Sequence, residues 1–270
     1  MTNAAGAFVN VQEALSASGI EPREARLLLA AATGFSEAAV LGFPERPLPG
    51  EAEKAYLSFV SRRAAGEPIA YILGRREFYG LELEVTPAVL IPRPETELLV
   101  DLALARKPAA VLDLGTGSGA IALALKRHLP SARVVAADAS AEALAVAQRN
   151  AARFGLDIEW RLGRWFEPLA GERFEGIVCN PPYVAVGDPH LAALPFEPRL
   201  ALLAGADGLD AIRVLAREAP AHLVPGGWLL LEHGMGQHEA VRALLGAEGL
   251  ETEAGWPDLA GIPRVAGGRR

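Results

Sequence analysis

From Lys107 onward the chain alternates short apolar runs with amphipathic stretches, and this alternation restricts the fold more than any other feature. "AAVLDLG", "ARVVAAD", "IEWRLG", "FEGIVCN" and "GGWLLLEHG" read as strands. Among them, "GAIALALKRHL", "AEALAVAQRNAARFG", "DAIRVLAREAPAHL" and "HEAVRALLGAEG" repeat apolar residues at helical spacing. Strands this apolar need cover on both faces, which intervening helices provide in a parallel sheet. The expected class is α/β, with a largely parallel, three-layer, Rossmann-like sheet. No internal repeat or low-complexity segment competes with that reading.

A different pattern precedes the sheet. From Val9 to about Ala65 apolar residues recur at helical spacing, Gly19, Gly34 and Gly66 stand where helices would end, and Pro22 where one would begin. Short helices such as "EPREARLLLAAATG" and "EAEKAYLSFVSRRAAG" are expected to form a small N-terminal domain over 1–74, with Arg62 and Arg63 on a solvated face. The period then drops to two: Leu81, Leu83 and Val85 alternate with Glu82 and Glu84, and Gly80 suits a turn. A β-hairpin linker over 75–93 is expected. Pro92 and Pro94 stiffen the chain, and a helix beginning near Thr96 runs to about Ala105, opening a third region over 94–270.

Composition narrows the function classes. With 270 residues and 51% hydrophobic content, the chain can bury a real core and is not a disordered polymer. A net charge of -7 argues against a grip on nucleic acid through its phosphates, so no stable nucleic-acid binding is expected. The single cysteine, Cys179, has no partner for an internal disulfide. His128, His190, His222, His233 and His238 show no zinc-type spacing; they read as solvated or locally bonded, and no metal is expected. "MTNAAGAFVNVQEAL" lacks the basic and apolar regions of a signal peptide, and nowhere do 18 uncharged apolar residues run together. A soluble, cytoplasmic protein that keeps clear of membranes is the expectation.

"VLDLGTGSGA" joins a strand to a helix through Gly115, Thr116, Gly117, Ser118 and Gly119, where glycines let the backbone turn sharply and approach a ligand. About 20 residues on, "ARVVAAD" ends in Asp138, placed to accept hydrogen bonds from ribose hydroxyls. A nucleoside cofactor follows. Gly115, Gly117 and Ala120 also satisfy the dinucleotide pattern of a nicotinamide-dependent oxidoreductase. Asp113 inside the loop favours a cofactor without phosphates, and a sulfonium nucleoside such as S-adenosylmethionine would welcome the charge.

"GIVCNPPYVA" decides what such a cofactor would serve. Two prolines cannot continue a central strand, so the chain leaves the sheet at a strand's carboxyl end, where open α/β sheets bind ligands. An NH2 on an sp2 carbon, in a carboxamide or a nucleobase, is a poor nucleophile because its lone pair is delocalised. Two acceptors taking its two N–H bonds orient it for attack. The Asn180 side-chain oxygen and the Pro181 carbonyl supply them, Pro181 and Pro182 hold the backbone, and Tyr183 offers a flat wall. Asn180, Pro181 and Tyr183 are therefore candidate catalytic residues, with Pro182 beside them in substrate binding. No strong base is needed, since the methylated nitrogen sheds its proton afterwards. The plainer reading is a turn after a strand, which also favours Asn and Pro. An oxidoreductase leaves these four residues without a task. Cys179, with no base adjacent in sequence, reads as a small buried hydrophobe.

These residues together resemble the protein-(glutamine-N5) methyltransferases that modify peptide chain release factors, the HemK/PrmC group. The resemblance covers nearly the whole chain and includes "GEPIAYILGRREFYGLELEV", "LIPRPETELLV", "DLGTGSGAIALAL", "NPPYV", "EPRLAL" and "GADGLDAIR". It implies a class I methyltransferase sheet and S-adenosyl-L-methionine held by Gly115 to Gly119 and Asp138. It also implies Trp165 packed on the adenine, Asn180 touching cofactor and substrate, and Asn180 to Tyr183 holding the glutamine of a Gly-Gly-Gln loop in a class I release factor. The N-terminal helices would help to dock that partner. A base amine of DNA or RNA is the alternative acceptor, against which stand the acidic balance and the lack of a basic, aromatic-laced region; a catalytically idle binding module is a third reading. Two departures stand out. Arg164 replaces a frequent acid before the Trp-Phe pair, and His233 replaces a usual aliphatic, which reads as a packing change. "IPRPETE" serves as a lid fixed by Arg93, Glu95 and Thr96, as a rigid interdomain linker, or as both. Trp165 as ordinary core is the other reading of that residue.

Overall fold

The computed structural model describes residues 10–270; Val9 and the eight residues before it, part of the stretch read above for a signal peptide, lie outside the described residues. The chain divides into two compact units with the boundary between Gly74 and Arg75. The first contains α1 (Val11–Ser16), α2 (Pro22–Thr33), α3 (Glu37–Gly42), α4 (Gly50–Ala64) and α5 (Ile69–Leu73). Side chains start three of these helices: Asn10, Glu21 and Ser36 each accept a backbone N–H three residues on, at 2.9 to 3.1 Å. Val11, Ala14, Leu28, Leu29, Val40, Tyr56 and Ile72 form its core. Arg62 and Arg63 do not simply face solvent as expected. Arg62 Nε donates to Glu67 at 2.7 Å, just past the end of its own helix, and Arg63 Nε to Glu24 of α2 at 2.7 Å, because each guanidinium has a carboxylate within reach.

The second unit opens with a hairpin, β1 (Arg75–Phe78) and β2 (Leu81–Glu84). A single 3-10 turn, Pro94–Thr96, then leads into α6 (Glu97–Arg106). The alternating region follows as β3 (Ala110–Leu114), α7 (Ala120–His128), β4 (Arg133–Asp138), α8 (Ala141–Phe154), β5 (Glu159–Leu162), β6 (Phe174–Cys179), α9 (Asp210–His222), β7 (Leu223–Glu232) and α10 (His238–Ala247). The strands β8 (Glu251–Thr252), β9 (Trp256–Pro257) and β10 (Pro263–Arg269) close it. Sheet order is β5-β4-β3-β6-β7-β10-β8, with β9 pairing β10. Strands β3 to β7 run parallel, whereas β10 is antiparallel to β7. The strand reading above did not include β10. Its Gly267 and Gly268 carry no alternating pattern, yet Gly267 lets it lie tight against β7, where a Cβ would come 2.8 Å from Leu230, and Gly268 lets it approach Leu250, 3.0 Å from such a Cβ.

The hairpin expected as a linker is packed into the second unit: Phe78, Leu81 and Leu83 are buried in the same core as Leu99, Val100 and Leu123. Asn150 on α8 ties it to the glycine loop. Its Oδ1 accepts from Glu84 N–H at 2.7 Å, while its Nδ2 donates to the Glu84 carbonyl at 3.0 Å and the Ser118 carbonyl at 2.9 Å. A second core of Leu112, Phe174, Ile177, Ile212, Leu215 and Leu229 covers the other face of the sheet. No helix among the described residues is long and apolar enough to cross a membrane. Strand β3 lies between β4 and β6, so chain order reverses beside it, and the carboxyl ends of β3 and β6 flank a switch point where ligands bind.

Candidate active site

A cavity of about 550 Å³ opens at that switch point. Gly115 and Gly117 from the loop after β3, Asp138 from the end of β4, Trp165, and Asn180 and Pro182 after β6 all line it. Gly115 and Gly117 have φ of +69° and +57°, a backbone that side chains rarely adopt, and the bare backbone forms the wall. Asp138 accepts from Gly117 N–H and from Ser140 N–H, each at 2.9 Å. Burial pushes its carboxyl above the usual range, against the pull of those N–H groups.

Thr116, Ser118 and Gly119, expected to touch the cofactor, are turned inward and do not line the cavity. They shape the loop instead: Thr116 Oγ1 donates to Asp113 at 2.6 Å, the Ser118 carbonyl takes Asn150, and a Cβ on Gly119 would stand 3.1 Å from Ala147 of α8. Asp113 likewise does not present its charge to the cavity. It is fully buried under the loop, where its Oδ2 also accepts the Ala122 N–H at 3.2 Å. Burial pushes its carboxyl up to about 7. The folded protein therefore binds this proton more tightly than the unfolded chain, whose aspartates titrate near 3.9. Stability present at low pH is lost as pH rises through about 7. Asp113→Asn removes this dependence, so urea unfolding over a pH series shows wild type losing stability relative to the variant between about pH 4 and 7 and running parallel to it above.

Trp165 combines the two readings given to it: its ring lines the cavity beside Gly115 and also packs on the second core. Its indole Nε1 is buried without a partner among the described residues, and its φ of +50° is a strained value for a non-glycine residue. Arg164 also lines the cavity. The "IPRP" segment and "EPRLAL" are joined, since Arg93 pairs with the buried Glu197, which also accepts Ile91 N–H at 3.2 Å. Pro87 to Leu90 form one wall.

Asn180 is half-buried, and its Nδ2 donates to Thr96 Oγ1 at 3.0 Å. Among the described residues no donor meets its Oδ1, and no hydrogen bond ends on the carbonyl of the buried Pro181. Tyr183 does not form the expected cavity wall. Its hydroxyl donates to Glu232 Oε1 at 3.2 Å, and burial, then the Glu232 charge, push the phenol above its usual value. Strands β6 and β7 pair Cys179 with Leu231, and Asn180 and Glu232 are the residues that follow this last pair. Glu232 is 2% exposed, and burial raises its carboxyl to about 7. Glu232 and Asn150 were not singled out in the sequence; an acid closing the apolar run "LLLEHG" is the only signal for the former. Cys179 is fully buried, as expected, and burial pushes its thiol up. His233 is buried too, bonded to the Gly234 carbonyl at 3.0 Å and His238 at 3.2 Å.

A mixed sheet with a parallel centre, a glycine loop, a second-strand acid and Asn-Pro-Pro-Tyr at its switch point defines an S-adenosylmethionine-dependent methyltransferase. Sequence models of the methyltransferase small domain and of the PrmC N-terminal domain match residues 94–194 and 7–74. The chain belongs to the release factor glutamine methyltransferase family: it is 51% identical over 257 residues to the release factor glutamine methyltransferase of Xylella fastidiosa strain Temecula1, covering 93% of this chain and 94% of that one. To that of Burkholderia pseudomallei it is 49% identical over 270 residues, covering 95% of each. The fold is shared with a methyltransferase from Pyrococcus furiosus (TM-score 0.55, 19% identity, 77% of this chain and 96% of that one). It is also shared with a T. thermophilus 16S rRNA N2 G1207 methyltransferase in complex with AdoMet and guanosine (TM-score 0.55, 23% identity, 73% of this chain and 49% of that one).

Proposed function

We propose that this chain methylates the side-chain amide nitrogen of the glutamine in the Gly-Gly-Gln motif of class I peptide chain release factors. One observation carries the reading: the Asn180 amide is held by its nitrogen, so its oxygen is free to accept from an incoming NH2 at the edge of the cavity. The cavity suits a nucleoside with an amino-acid tail. Gly115 and Gly117 allow close approach, Asp138 offers carboxylate lone pairs, and Trp165 supplies a flat face. When bound, S-adenosylmethionine supplies an electrophilic methyl group on a positively charged sulfur.

The remaining work falls to the chain. Asn180 Oδ1 and the Pro181 carbonyl each accept one N–H of the glutamine amide, which orients its lone pair and favours pyramidal nitrogen. Pro181 and Pro182 keep those oxygens from drifting, since their φ is fixed. Once methylated, the nitrogen is acidic enough to lose a proton to water without a dedicated base. In this reading the first unit is the partner-binding domain, and the compartment is the cytoplasm, where release factors work.

The test is transfer of labelled methyl from S-adenosylmethionine to a purified class I release factor, beside the same factor with its Gly-Gly-Gln glutamine changed to alanine, and beside duplex DNA and ribosomal RNA. Label is expected on the intact factor alone. Label confined to nucleic acid would overturn the proposed acceptor.

A further inference from the structure

We propose that Thr96 and Glu232 act as positioning residues that set which end of the Asn180 amide faces the acceptor. The inference rests on the glutamine-methylating role just given to Asn180. An asparagine amide has nearly the same shape either way round, but only one orientation serves: the oxygen must meet the substrate NH2, since the nitrogen would oppose donor to donor. Something in the protein must distinguish the two ends.

The hydrogen-bond chain does so by its supply of protons. Glu232 closes β7 inside the protein, 2% exposed; it does not line the cavity, and among the described residues no hydrogen bond joins it to Asn180. Two hydroxyls converge on it: Thr96 Oγ1 donates to Oε2 at 2.7 Å and Tyr183 to Oε1 at 3.2 Å. An ionised carboxylate only accepts, and a threonine hydroxyl has a single proton. With that proton given to Glu232, the Thr96 oxygen can only accept from its neighbour. The Asn180 group 3.0 Å away must then be the NH2, and Oδ1 points the other way. A buried carboxylate is costly to keep, and this one sits where its effect reaches the catalytic amide through one hydroxyl. Tyr183 is thereby given a second anchor role in place of the wall first expected of it. The carboxyl of Glu232, which also feels the Glu95 and Arg264 charges, must be ionised for the argument, so the assay belongs well above its pKa, at about pH 8.5.

Thr96→Val keeps the shape and removes the hydroxyl, whereas Thr96→Ser keeps the hydroxyl. With the release factor as substrate, Thr96→Val should lower kcat by roughly tenfold or more, with S-adenosylmethionine affinity by calorimetry within about threefold of wild type. Thr96→Ser should recover most of the rate. Wild-type kcat in Thr96→Val, alongside an inactive Asn180→Ala, would overturn the positioning role and leave the proposed function standing. A fully active Asn180→Ala would overturn the proposed function, and this inference with it. Parallel loss of rate and cofactor affinity in both Thr96 variants would show a merely structural residue and sink the inference.

Discussion

Replacing Asn180 by alanine is expected to lower kcat for methyl transfer by about a thousandfold, or roughly 4 kcal/mol of barrier, while S-adenosylmethionine affinity falls less than about tenfold. The asymmetry follows from what the side chain does. Asn180 is one of many residues lining the cavity, and on the proposed reading a cofactor there would keep Gly115, Gly117, Asp138 and Trp165 as contacts. On the proposed function the acceptor amide would lose one of the two oxygens assigned to take its N–H bonds, and the Pro181 carbonyl would not orient the nitrogen alone. Single-turnover rates with the release factor, together with calorimetric cofactor titration, separate the two quantities. Equal losses in rate and cofactor affinity would mean that Asn180 serves the cofactor only.

The largest effect on stability is expected at Gly176, far from any polar chemistry. Gly176 of β6 is the register partner of Trp228 of β7, whose ring lies over it. A Cβ there would come within 2.2 Å of Trp228 Cζ2 and 2.3 Å of Cη2. The indole has little room to retreat: it is 5% exposed, packed in the first sheet core, with the Arg106 guanidinium 5.4 Å from its ring centre. Gly176→Ala should therefore destabilise the second unit by about 3 kcal/mol, the scale of an overpacked core. Urea denaturation with Trp fluorescence measures it, and the double variant Gly176→Ala with Trp228→Leu should recover part of the loss.

Much of the fold could be read before the structure, because each element carries its own local reason. The apolar runs became β3, β4, β5, β6 and β7 in the expected order, and Gly115 and Asn180 fell at carboxyl ends because the motifs sit directly after those runs. Strand β10 could not be read this way. Its glycines are poor strand formers, and it pairs only because β7 presents an edge. The glycine loop was legible as a turn between a strand and a helix, but not the division of labour inside it. Alternate residues of a tight turn face opposite ways, so Gly115 and Gly117 meet the cavity while Thr116 and Ser118 turn to Asp113 and Asn150.

The sequence by itself determined the strand order in the chain, the glycine loop after β3, and the Asn-Pro-Pro-Tyr turn after β6. These depend on residue type and short spacing, which are local. Only the tertiary structure decided which end of the Asn180 amide is free, that Tyr183 anchors rather than lines, and that Asp113 lies beneath the loop. Thr96 and Glu232 are 136 residues apart, Glu84 and Asn150 are 66 apart, and hydrogen bonds between them exist because tertiary packing sets the turn before α6 against the end of β7 and α8 against the hairpin. Register and burial set those pairings, and neither is written in any short stretch of chain.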